Sequence, residues 1–135
     1  MSKSLIYTAN TSVQNLAVNS IINPGTVIRR FGPNLSLSGN AVQAAGGGYY
    51  DIDASFTIAP TAVGTVTVTA YLDNVAIPGA VATGSVSTAN NTVTLPINAV
   101  FRKPCQCCDS LSSLTFVLTG TAANITNSAI VVEKK

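Results

Sequence analysis

Histidine is absent from the 135 residues, which removes Ser-His-Asp and Cys-His triads and the most common metal ligand together. The acids are Asp51, Asp53, Asp73, Asp109 and Glu133. Asp51 and Asp53 stand two residues apart, so an extended strand would put both carboxylates on one face, about 7 Å apart. That spacing could suit a carboxylate pair or a Ca²⁺ site, but solvent-facing alternation explains it with no further assumption. Gly46-Gly47-Gly48 lacks the following Lys-Ser/Thr and the helix of a phosphate cradle, and reads as a flexible turn. Cys105-Gln106-Cys107-Cys108-Asp109 is the odd constellation. Its thiols are too close in the chain to cross-link distant parts of it, neighbouring bonds fit disulfide geometry poorly, and the spacing is not the C-x₂-C of zinc ribbons. Reduced thiols in a loop between two strands are one reading; a redox-sensing thiol beside Arg102-Lys103 is another. With no set of acid, base and nucleophile, the chain is expected not to be an enzyme and to carry no cofactor.

The elements that would position these residues are strands. Period-two alternation dominates from residue 48 onward, and no window of about 11 or more residues carries a helical stripe. In 49–58, Tyr50, Ile52, Ala54, Phe56 and Ile58 fall on one face, with Tyr49, Asp51, Asp53, Ser55 and Thr57 on the other. Residues 65–72 place Val66, Val68, Ala70 and Leu72 inward, residues 92–101 place Val93, Leu95, Ile97, Ala99 and Phe101 on one side, and residues 114–119 bury Leu114, Phe116 and Leu118. Pro96 predicts an edge position or a bulge. The run Ala129-Ile130-Val131-Val132 in 128–133 predicts a strand covered on both faces, central in a sheet or at a subunit contact. Shorter strands fit 5–8, 26–31, 35–38, 41–44, 75–77 and 81–87, between turn signals that include Asp73-Asn74 and Pro78-Gly79. About ten short strands with regular turns predict an all-β, two-sheet antiparallel jelly-roll sandwich, a single domain over 1–135.

Composition bears on how that domain would be used. Charged residues are 9% of the chain against roughly 25% in ordinary soluble domains, and short uncharged side chains lose little entropy when a surface docks on them. Self-association is therefore expected. The net charge is +2, and in an alternating strand Arg29-Arg30 and Arg102-Lys103 each split between two faces, so no nucleic-acid partner is expected. The start, Met1-Ser2-Lys3-Ser4-Leu5-Ile6-Tyr7, has no apolar core of a secretory signal, and no run of about 18 apolar residues occurs. Synthesis in the cytoplasm, with no membrane partner, is expected.

Gly48-Tyr49-Tyr50-Asp51-Ile52-Asp53-Ala54-Ser55-Phe56, followed by Gly64-Thr65-Val66-Thr67-Val68-Thr69-Ala70-Tyr71-Leu72-Asp73-Asn74-Val75-Ala76-Ile77-Pro78-Gly79-Ala80, resembles the trimeric tumour-necrosis-factor-like jelly rolls. The variant most similar is that of small structural proteins of phages of Gram-positive gut bacteria, in which the stretch from Asn23 to Gly32, a late cysteine cluster and an Ile130-Val131-Val132-Glu133-Lys134 ending also have counterparts. The tips of exosporium collagen-like proteins are similar too, but these residues hold no Gly-X-Y tract. Asp73-Asn74 stands where the pattern prefers Asn-Gly, so Asn74 is expected in a left-handed conformation. Nothing in the sequence marks a cytokine receptor site.

The resemblance implies a homotrimer located in the virion, with a capsid-decoration, head-fibre or appendage role and with other virion proteins or a host surface as partners. The alternatives are a host-surface or carbohydrate-binding adhesin tip, or an exosporium-type spore surface protein. Tyr49, Tyr71, Val117 and Val131, opposite the core register of their strands, are the expected subunit contacts. A trimer would also allow Cys105, Cys107 and Cys108 of three chains to meet near the threefold axis, as interchain disulfides or thiolate ligands of a soft metal.

Overall fold

A computed structural model describes residues 4–103 and 111–134. Strict alternation of β-branched and aromatic residues with Thr, Ser and Asn gives an extended backbone one apolar side to bury, and the described residues form strands without any helix. The strands are β1 (Ser4–Asn10), β2 (Gln14–Leu16), β3 (Ser20–Ile21), β4 (Thr26–Phe31), β5 (Leu35–Ser38), β6 (Ala41–Ala45), β7 (Gly48–Pro60), β8 (Gly64–Leu72), β9 (Val75–Val86), β10 (Val93–Lys103), β11 (Leu111–Thr119) and β12 (Ala123–Lys134).

They make two antiparallel sheets of six. The first runs β10-β7-β12-β1-β4, with β2 beside β12; the second runs β5-β6-β11-β8-β9, with β3 beside β11. After β6 the chain repeatedly changes sheet, so neighbours within a sheet are mostly distant in sequence. The first described strand, β1, lies against the last, β12, from Ser4 opposite Lys134 to Asn10 opposite Ser128. This is the two-sheet jelly roll that the strand pattern predicts.

The core lies between the sheets. Tyr50, Ile52, Ala54, Phe56 and Ile58 of β7 are all buried, as are Val66, Val68 and Ala70 of β8 and Leu114, Phe116 and Leu118 of β11. Phe56 and Phe116, one from each sheet, meet with ring centroids 5.2 Å apart and planes tilted by 55°. On the side where β9 and β10 come together, Gly84 leaves room that Leu95 fills: a Cβ at Gly84 would stand 2.9 Å from Leu95 Cδ2.

Four features differ from the sequence expectation. The described residues hold twelve strands rather than about ten, because β2 and β3 have only three and two residues and no alternation to show. Several are also long, β7 reaching thirteen residues. Pro78-Gly79 does not end a strand: β9 is continuous, and its pairing with β8 jumps from Ala76 opposite Tyr71 to Val81 opposite Thr69, so the dipeptide sits in a bulge with Gly79 at φ +82°. On a strand at the sheet's edge the missing proline donor leaves no partner unsatisfied. Finally, β12 is central, between β7 and β1, but within one chain only one of its faces is closed: Ile130 and Val132 are buried, Ala129 and Val131 half-buried and Glu133 exposed. Pro96 does lie on an edge strand, β10.

Candidate interaction surface

Pairing partners in an antiparallel sheet point to the same side, so the register of the first sheet reads out its outer face row by row. One row runs Asn98, Asp53, Val131, Tyr7, Arg29 from β10 to β4; the next runs Val100, Asp51, Glu133, Leu5, Phe31. Leu5, Tyr7 and Val131 are half-buried, while Val100 is 55% and Phe31 52% exposed. An apolar middle therefore crosses the centre of this face, with carboxylates on β7 and β12 and a guanidinium on β4.

Tyr49, 55% exposed, stands on the same side opposite Arg102. Its neighbour Tyr50 points inward, stacks on Phe101 and donates its hydroxyl proton toward the carbonyls of Ala45 and Gly46, at 2.7 and 2.8 Å. Burial pushes the Tyr50 hydroxyl above its ordinary pKa of 10.0. The Gly46-Gly47-Gly48 turn leads straight into β7, and its backbone is engaged by Tyr50, as expected of a turn rather than a phosphate cradle.

Of the four expected contact residues, Tyr49 and Val131 share the outer face of the first sheet. Tyr71 and Val117 belong to the second, where Tyr71 lies opposite Thr115 and Val117 opposite Thr69 and Ile21. Packed sheets stand about 10 Å apart and these faces look away from each other, so one flat contact cannot cover all four. Alternation tells which residues leave the core but not which sheet they leave from. Leu5, Tyr7, Phe31 and Arg29 were missed because only the pairing of β1 with β12 and β4 brings them beside Val131.

Asp51 and Asp53 line a shallow cleft of about 360 Å³ with Ile52, Asn98, Ala99 and Val100. Among the described residues no three His, Cys, Asp or Glu side chains are grouped to hold a metal ion. Cys105, Cys107 and Cys108 lie outside the described residues. A second cleft, about 300 Å³ and mainly apolar, opens between the β8–β9 turn and β10, with Val75, Ile77, Pro78, Val100 and Phe101 in its walls. What the outer face of the first sheet can do is bind by shape, apolar contact and charge.

No family model matches the chain, and no curated protein matches it. Solved structures do. Vertex protein P5 of phage PRD1 superposes with a TM-score of 0.66 at 16% identity, covering 98% of this chain and 96% of that one. Murine APRIL gives 0.70 at 11% identity, over 98% and 99% of the two chains, and the globular domain of zebrafish complement 1qA gives 0.59 at 6%, over 96% and 94%. The fold is thus a tumour-necrosis-factor-like jelly roll, shared over essentially the whole length of these proteins.

Proposed function

We propose that this chain, one jelly-roll domain over residues 1–135, is a structural protein of a phage virion that acts as a homotrimer in a capsid-decoration, head-fibre or appendage role. The observation that carries the reading is the outer face of the first sheet. Leu5, Tyr7, Ala9, Ala129 and Val131 form a continuous half-apolar stripe on central strands, and Phe31 and Tyr49 stand beside it. A sheet of this kind is wet on one side in a free chain and dry on both in an assembly.

The subunit contact in this reading uses the face of Tyr49 and Val131, and leaves that of Tyr71 and Val117 for other neighbours or solvent. The likeness to a phage vertex protein over 98% of the chain supports a place in the virion. Three linked copies would let weak sites add by avidity, provided the target repeats at matching spacing.

Light scattering tests the assembly: the expected mass is three times 13.8 kDa, and a monomer at micromolar concentration overturns the trimer. Stoichiometric binding to empty capsids is the expected outcome for a decoration role. Selective binding on a glycan array without capsid binding would favour the adhesin instead.

A further inference from the structure

Three of the five acids in the sequence, Asp51, Asp53 and Glu133, lie on the outer face of the first sheet, on the neighbouring strands β7 and β12. Arg29 lies on the same face at the β4 edge, in the row that contains Asp53. Two strands, β12 and β1, separate them, which at about 4.8 Å per strand is about 14 Å. That exceeds both ion-pair reach and the screening length of about 8 Å at physiological salt, so Arg29 and Asp53 do not neutralise each other within one chain. Arg30 is not equivalent to Arg29. It points to the other side of β4, where its Nε donates to the carbonyl of Leu35. Arg29, Asp53 and Glu133 are all exposed.

The β7–β12 side of this face carries three carboxylates beside Arg102 of β10, and the β4 edge carries Arg29, so the β4 edge of one copy is complementary to the β7–β12 side of the next when the two are set head to tail. We propose that the occupant of this face is a second copy of this chain, docked so that Arg29 of one protomer meets the carboxylates of Asp53 and Glu133 of the next. Superposing like strands instead would put acid against acid, so the charges choose the orientation and exclude that register. A head-to-tail contact that is repeated by rotation closes a ring in which every basic edge is paired with an acidic one. Phe31, exposed on the same β4 edge and opposite Leu5, gives the contact its apolar part, filling against Tyr7 and Val131.

The inference rests on the homotrimer reading and adds to it the residues that orient the copies. Its test is a charge-reversal cycle followed by sedimentation velocity across a concentration series, at low and at high salt. Arg29→Glu and Asp53→Arg should each weaken association about tenfold or more, and the double variant R29E/D53R should recover a large part of that loss, short of the wild type because Glu133 still faces residue 29. Raising the salt should weaken the wild type but strengthen the Arg29→Glu variant, in which acid then faces acid. Both positions are exposed, so circular dichroism should show all variants folded. A wild-type trimer that is indifferent to both single changes, or a double variant weakened by the sum of the two, overturns the head-to-tail pairing and leaves the trimer standing. A wild-type monomer overturns both.

Discussion

Tyr50 and Phe101 stack almost parallel, ring centroids 5.1 Å apart and planes 7° apart, directly opposite each other on β7 and β10. Tyr50 is fully buried, and its hydroxyl closes the Gly46-Gly47-Gly48 turn by reaching the carbonyls of Ala45 and Gly46. Tyr50→Phe keeps the stack and removes both hydrogen bonds, so a loss of about 1 to 2 kcal/mol is expected in urea unfolding near neutral pH. The same substitution should change the alkaline behaviour. Burial raises the Tyr50 pKa above 10.0, so below that pH both states hold the proton and the contribution is complete. Above it the unfolded chain releases a proton that the folded chain retains, and stability falls as pH rises. Unfolding measured at about pH 8 and about pH 10.5 should show a smaller decline for Tyr50→Phe than for wild type.

The Phe56–Phe116 contact is where the two sheets meet ring to ring, both residues being essentially without solvent contact. Phe116→Ala should cost about 3 to 5 kcal/mol, because the removed ring leaves a cavity that flanking Leu114 and Leu118, fixed by their own strand, cannot fill. Phe116→Leu should cost markedly less. Equal losses for the two would show that ring volume is not what joins the sheets here.

Asp73 and Asn74 both adopt left-handed backbone, φ +52° and +69°, the geometry of a two-residue type I′ hairpin between β8 and β9. Asp73 is also tied to β11: its Oδ1 accepts from the Ser113 amide at 2.9 Å, and its own amide donates to the Ser113 carbonyl at 2.8 Å. That explains an Asp where the hairpin alone would accept Asn, but among the described residues Asn74 makes no such bond that would favour it over Gly. Asn74→Gly should therefore raise the unfolding free energy by a few tenths of a kcal/mol, up to about 1, while Asp73→Ala should lower it by about 1. Thermal melts of the two variants should shift in opposite directions.

These cases show what a linear sequence carries. The core register of β7, β8, β10 and β11 was legible because alternation reports directly which side chains leave water, and Asn74 was legible because a turn is local. The bulge at Pro78-Gly79 was not, since the dipeptide has the same local signature whether it ends a strand or bends one; what decides is that β8 continues past it as a partner. The proposed interaction face was half legible. Tyr49 and Val131 share it and Tyr71 and Val117 do not, a distinction set by pairings such as β7 with β12, whose residues are about seventy positions apart in the chain. The row from Asp53 to Arg29 joins four strands and has no local signature at all.

Thr8 and Ser128 pose a different question, because both are fully buried and neither hydroxyl has a hydrogen-bond partner among the described residues. They stand on the core side of neighbouring strands, Thr8 opposite Ile130 and Ser128 opposite Asn10. A hydroxyl desolvated without a partner costs about 1 to 3 kcal/mol by mutational comparison, while the methyl that replaces it in Thr8→Val has nearly the same shape and none of that cost. Thr8→Val should therefore stabilise the protein by about 1 kcal/mol. Ser128→Ala should be neutral to mildly stabilising, because it removes the oxygen without refilling its space. If instead both substitutions destabilise, and by less together than the sum of the two, the hydroxyls share a bridging partner such as a buried water. Chemical denaturation of the two single variants and the double decides between an idle pair and a working one.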